Sequence, residues 1–200
     1  MGRTPIATRE RILAAALARF AHYGFRRTSM EDIAGEAGVS RAALYLQFRN
    51  KEEIFRSLAQ ELHAHALAEA VAALQGAEPL AERLQAAVEA KTLRFVEIAY
   101  GSPHGSELMD ENNRLCGDLA ADTERRFQAL LTRVFRRAAQ TGELDLGAIG
   151  LNAAAAAQLF VRTVSGLKGP SVTVPEYRKR VAALARIFVA GLAAPAAQRV

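Results

Sequence analysis

Apolar residues recur along this chain at three- and four-residue intervals, the spacing that lines one face of a helix. Ile12, Ala16, Leu17 and Phe20 form the first such stripe. Thr8 before it and Gly24 after it are start and stop signals, so a helix is predicted over 8–22. Met30, Ile33, Ala34 and Ala37 mark a short second helix. Thr28 or Ser29 caps it, Glu31 and Asp32 sit in its first turn, where the helix dipole favours acids, and Gly38 ends it. Ser40 caps a third helix that runs through Phe48. Asn50 caps a fourth, which reaches residue 75 before Gly76 and Pro79 break the pattern. Longer helices are predicted over 80–100, within 107–140, over 148–167 and over 176–192. The GSPHG stretch at 101–105 reads as a connection, and Ser171-Val-Thr-Val, between Pro170 and Pro175, as a loop. Alternation of the strand kind is scarce, so the fold class is all-α.

Composition narrows this picture. Half of the residues are hydrophobic, enough to bury a real core. No run approaches the roughly 18 uncharged apolar residues of a membrane span, so no membrane is expected as a partner. The N-terminus lacks the apolar centre of an export signal. Cys116 is the only cysteine, so no internal disulfide forms, which suits a reducing cytoplasm. Charge is segregated. Residues 1–51 hold nine Arg or Lys against four Asp or Glu, a net of +5, whereas residues 52–200 hold 17 of each. A basic segment of this kind fits a polyanion, either nucleic acid or an anionic membrane surface; the alternative is a solvated basic face.

The segment 29–48 carries the chemistry. Gly38 can take the positive φ of a sharp turn between two short helices, and the small Ala34 lets them approach closely. Ile33, Val39, Leu44 and Phe48 can close a small core with the first helix. This is a helix-turn-helix, whose second helix enters the DNA major groove. At about 100° per residue, Leu44 and Phe48 face inward while Ala42 and Leu46 point away, flanked by Arg41 and Tyr45 on one side and Ala43 and Gln47 on the other. Arg41 and Gln47 are residue types that read guanine and adenine edges, and Leu46 can pack on thymine methyl groups. Tyr45 can reach a phosphate. Thr28 and Ser29, at a helix N-terminus, and Lys51 are further phosphate candidates. The alternative places Tyr45 and Leu46 in the core against another helix.

The stretch TSMEDIAGEAGVSRAALYLQFRNKEEIF at 28–55, with Ile12, Ala15, Phe20 and Gly24 before it, resembles the DNA-binding domain of TetR-family transcriptional regulators. The chain departs from the family at Leu46 and Gln47, where Tyr or His is common. The resemblance implies about nine helices, with a helix-turn-helix domain at 1–51 and a helical ligand-binding and dimerisation domain at 52–200. Carried over by position, it implies DNA-facing roles for Thr28, Ser29, Ser40, Arg41, Ala42, Tyr45, Leu46, Gln47 and Lys51. It further implies a homodimeric repressor, released from a palindromic double-stranded DNA operator by a small, largely apolar effector. The other reading is a DNA-bound regulator that recruits another protein and has no small-molecule inducer.

In the body, Tyr177, Val181, Leu184, Phe188 and Leu192 make one continuous apolar stripe. It reads as a dimer surface or as an internal core stripe, and the resemblance favours the dimer. Phe95, Tyr100, His104, Met109, Leu115, Phe127, Phe160 and Arg162 lie where the family builds its pocket, although such residues also serve as plain core. Catalysis, metal binding and cofactors are not expected. His63 and His65 point apart on a helix, Cys116 has no second cysteine, and no Gly-rich phosphate loop is present. Glu107, Asp110 and Glu111 read as a solvated helix start.

Overall fold

The computed structural model describes residues 5–169 and 172–193, with side chains from residue 8 onward. Eight α-helices follow one another among these residues: α1 Pro5–Tyr23, α2 Met30–Ala37, α3 Arg41–Gln47, α4 Lys51–Leu74, α5 Leu80–Gly101, α6 Gly105–Gln140, α7 Ala153–Gly166 and α8 Val174–Leu192. A single 3-10 turn, Gly147–Ile149, precedes α7. The all-α expectation holds. Pro170 and Ser171 of the expected loop lie outside the described residues.

Several helix ends differ from the periodicity reading, each for a local reason. Helix α1 begins at Pro5, so Thr8 lies inside it and caps nothing. Helix α7 begins at Ala153 and not at 148, because Gly150 turns left-handed at φ 66° and Asn152 accepts the Ala155 N–H as N-cap. Helix α8 starts two residues early, since Thr173 caps it through the Glu176 N–H and Pro175 fits its first turn. Helix α6 runs on through a kink at Cys116, whose φ of −132° and ψ of 15° are non-helical.

The chain separates into two compact units. One comprises Met1–Ala64 with Phe95–Ala120, the other His65–Arg94 with Ala121–Val200. Helices α4, α5 and α6 each supply residues to both. The first unit is built on Ile12, Phe20, Ile33, Leu44 and Ile54, all essentially without exposure. Phe20, Phe25 and Phe55 pack as a triangle of rings with centroids 5.2–5.8 Å apart. Each such ring contributes about 2–3 kcal/mol by leaving water. The second unit has its own triangle, Phe135, Phe160 and Phe188. Polar contacts also lie in its core: the buried Tyr177 hydroxyl donates to Thr92 Oγ1 at 2.8 Å, and Thr92 donates to the Val88 carbonyl at 2.6 Å. Burial pushes the Tyr177 phenol above its ordinary range.

Candidate nucleic-acid interface

Helix α2 is pinned at both ends. Ser29 Oγ accepts the Asp32 N–H at 3.1 Å, and the Asp32 carboxylate accepts the Ser29 N–H at 2.9 Å and the Ser29 hydroxyl at 2.7 Å. These donors, helped by Arg19 at 3.5 Å, hold the Asp32 carboxyl below its usual value. At the other end Gly38 sits at φ 60° with its N–H on the Gly35 carbonyl, and Val39 N–H reaches the Ala34 carbonyl at 3.0 Å. Arg11 donates to the carbonyls of Ala37 and Gly38, closing a helix end that would otherwise leave them unpaired. Ser40 then caps α3 by accepting the Ala43 N–H.

Helix α3 consequently presents two different faces. Leu44 and Phe48 are buried, at 0 and 2% exposure, while Leu46 stands 84% exposed and Tyr45 47%. Arg41 and Ala42 are exposed beside them, and Ala43 and Gln47 are half-buried. The reading that put Tyr45 and Leu46 into the core is therefore overturned. Arg41 is not idle: its guanidinium pairs with Glu31 of α2.

Two expected phosphate contacts are used elsewhere. The Thr28 hydroxyl is buried and donates its one proton to the Gly24 carbonyl at 2.7 Å. The Lys51 ammonium donates to the carbonyls of Phe25 (2.8 Å), Thr28 (3.1 Å) and Arg26 (3.3 Å) and lies 4.5 Å from the Phe25 ring centroid. Both side chains tie the α1–α2 turn and leave no donor for a phosphate. The sequence pattern missed Arg27, exposed in that turn with no ion pair among the described residues. Its only signal was membership of the N-terminal positive excess.

The α1–α2 turn is also held from α6. Glu107 accepts the Arg26 N–H at 2.8 Å, and the buried Glu111 lies 3.5 Å from the Arg26 guanidinium. Ser102 donates to the Ala21 carbonyl at 2.6 Å. Glu107 and Glu111 are thus structural acids and not the solvated helix start expected of them; Asp110 alone is exposed. Gly24, at φ 87°, leaves room for Glu107 and His104 beside it.

Residues 12–58 match the family of bacterial regulatory proteins called the tetR family. The HTH-type transcriptional regulator TtgR of Pseudomonas putida is 31% identical over 148 residues, 69% of this chain and 70% of its own length. The chain belongs to the TetR family. RutR of Escherichia coli (strain K12), another HTH-type transcriptional regulator, is 35% identical over 129 residues, 60% of this chain and 58% of RutR. The structure of SmeT, repressor of the Stenotrophomonas maltophilia multidrug efflux pump SmeDEF, superposes with a TM-score of 0.65 at 26% identity, covering 92% of this chain and 90% of SmeT. A transcriptional regulator from Cytophaga hutchinsonii shares the fold at a TM-score of 0.75 and 21% identity, covering 92% of this chain and 97% of that one. This TetR-family member is a DNA-binding transcriptional regulator and not an enzyme.

The residues expected to line one ligand pocket in this TetR-family chain are shared between the two units. Phe95 and Met109 do line an apolar cavity of about 50 Å³ in the first unit, together with Phe20, Phe55 and Leu58. Asn112 is the one polar side chain in its wall. Leu115 packs against the first unit's core, Tyr100 is substantially exposed, and His104 sits 3.5 Å from Glu107 beside Gly24. Phe127 and Phe160 are buried in the core of the second unit, and Arg162 is exposed on α7. The pattern could not assign these residues, because α5 and α6 divide between two cores.

The α8 stripe is divided. Tyr177 and Val181 are wholly buried within the chain and Leu192 nearly so, while Leu184 and Phe188 are half-buried. Tyr177, Val181 and Leu192 thus face the chain's own interior, and Leu184 and Phe188 keep part of their surface open. The exposed large apolar residues of the last two helices are Leu159, 51% exposed, and Ile187, 70% exposed. Among the described residues no helix is long and apolar enough to cross a membrane.

Proposed function

We propose that this regulator is a homodimeric repressor that binds a palindromic operator in the cytoplasm and leaves it when a small, largely apolar effector binds. The observation that carries the DNA reading is Leu46. A leucine 84% exposed on a helix whose inner face is fully packed costs solvation unless something apolar covers it. Thymine methyl groups in the major groove supply that cover, with Arg41 and Gln47 reaching base edges. Residues 1–51 form the DNA-binding part and 52–200 the ligand-binding and dimerising part. The reading set narrows to Ser40, Arg41, Ala42, Tyr45, Leu46 and Gln47, because Ser29, like Thr28 and Lys51, uses its donors within the fold, and Arg27 is added as a phosphate contact. A dimer is supported by the exposed Leu159 and Ile187, and two recognition helices must lie about one DNA turn apart.

The effector reading rests on the cavity bounded by Phe20, Phe55 and Phe95. A ligand of drug size needs roughly 300 Å³ or more, so binding must open this cavity, with the flexible Met109 as the natural moving wall. Likeness to SmeT, solved in complex with triclosan (26% identity, TM-score 0.65, covering 94% of this chain), supports an apolar aromatic effector. The small volume favours the second reading, a DNA-bound regulator that recruits a protein and has no inducer.

The test begins with operators selected from random duplexes. Arg41→Ala and Tyr45→Ala should abolish specific gel shifts while sedimentation still reports a dimer. Unchanged operator affinity in both variants refutes the DNA-reading assignment. Ile187→Asp should give monomers. Triclosan and related phenols should raise the melting temperature by mass action and release operator. No shift across such a series supports protein recruitment instead.

A further inference from the structure

The second half of α6 crowds three arginines into one turn. Arg133 and Arg137 are four residues apart and therefore neighbours on the helix surface, with Arg136 beside them. Elsewhere the same helix pairs its arginines: Arg114 with Glu111, and Arg125 and Arg126 with Asp122. Besides other arginines, the positions three or four residues from Arg133 and Arg137 are Ala129, Leu130, Val134, Gln140 and Thr141, none of them acidic. Among the described residues neither Arg133 nor Arg137 has an ion pair. The nearby Glu143 belongs to Arg83, at 3.8 Å, and Arg83 is itself anchored on the Leu74 and Glu78 carbonyls. Like charges at this spacing oppose helix stability.

Arg133 and Arg137 rim a groove of about 500 Å³ within the second unit, walled by the end of α4, the start of α5 and the end of α6; Arg83 and its partner Glu143 also line it. Its floor is apolar, with Leu130 and Val134 half-buried and Leu74 and Ala138 below them. The size suits a small molecule. Guanidinium forks match carboxylate and phosphate oxygens in pairs.

We propose that this groove binds a small anionic amphiphile. Its carboxylate or phosphate head lies on Arg133 and Arg137, and its alkyl or aryl part on Leu130 and Val134. The site shares no lining residue with the apolar cavity of the first unit and does not depend on the DNA reading.

Calorimetric titration of the full-length protein with decanoate, octyl phosphate, neutral decanol and inorganic phosphate tests it. Decanoate or octyl phosphate should bind one site per chain, and the stronger of the two identifies the head group. The Arg133→Gln/Arg137→Gln double variant should lose at least tenfold in that affinity while its melting temperature stays level or rises. Decanol should bind both proteins alike, which separates this groove from an apolar cavity. Equal affinity of the anionic ligands for wild type and variant overturns the proposal, as does no binding at all. Inorganic phosphate matching the amphiphiles would mean an adventitious ion only, and overturns it too. If the double variant melts early, Arg133→Lys/Arg137→Lys replaces it. Decanoate binding weakened there without unfolding supports recognition by the guanidinium forks, and affinity equal to wild type overturns it.

Discussion

Lys51 illustrates how a residue's surroundings decide its role. Its type and its place at the start of α4 fit a phosphate clamp, yet all three of its ammonium protons face backbone carbonyls of the α1–α2 turn. Those carbonyls lie 23 to 26 residues away in sequence, so only the folded chain brings them to it. Lys51→Met keeps the stem and removes the donors. It should cost about 2 kcal/mol in urea unfolding, the scale of hydrogen bonds to a charged group. A loss below about 0.5 kcal/mol would mean that water replaces the ammonium without penalty. Leu46, by contrast, was legible from angles alone, because helix periodicity fixes which side chains lie opposite Leu44 and Phe48.

At the scale of elements, two glycines separate conformational need from mere tolerance. Gly24 holds φ 87°, and a Cβ there would run into the Glu107 carboxylate and sit 3.1 Å from His104 Nδ1. Gly24→Ala should cost at least about 1–2 kcal/mol and displace Glu107 from the Arg26 N–H. Gly35 lies within α2, and a methyl group placed on its Cα would meet nothing within 4 Å. Gly35→Ala should stabilise by about 0.5–1 kcal/mol, since alanine loses less chain entropy in a helix. Chemical denaturation of both variants checks the pair, and equal effects would refute the distinction. The start of α3 was readable to the residue because Ser40 acts locally, and that of α2 to within one residue, since Thr28 and Ser29 are both capping types and only Ser29 caps. The stripe on α8 was readable as a stripe but not by destination. Periodicity says that Tyr177 and Val181 share a face, and only packing shows that the face meets Thr92 and the interior.

For the whole molecule, acidity should be felt through paired carboxylates. Arg56 holds the Asp118 carboxyl down at about 2, chiefly by hydrogen bonding. Ser29 lowers that of Asp32, and the backbone and side chain of Arg49 lower that of Glu53. In the unfolded chain these groups return to about 4, so the unfolded state binds more protons between the two values. Their contribution is complete above about pH 4 and is lost as pH falls toward 2. Melting temperature should therefore drop through that window, and Asp118→Asn should flatten the drop. An unchanged slope in the variant would remove Asp118 from the account. The division into two cores was not legible in advance, since α4, α5 and α6 carry apolar faces continuously past the boundaries at Ala64, Arg94 and Ala120. The charge segregation was, because it is a property of composition.

The pairing of Arg41 with Glu31 has a consequence for time as well as for contact. On the proposed interface Arg41 must leave Glu31 before it can meet DNA. A base edge held by two hydrogen bonds repays that exchange; a lone phosphate on a random stretch does so poorly. The acid therefore shortens each visit to the wrong sequence and hastens the search for the right one. Glu31→Gln should lengthen residence on random duplex DNA several-fold and raise the salt slope there by about one. Anisotropy and dissociation kinetics on scrambled duplexes read this directly, and identical off-rates would show that Glu31 plays no part in the search.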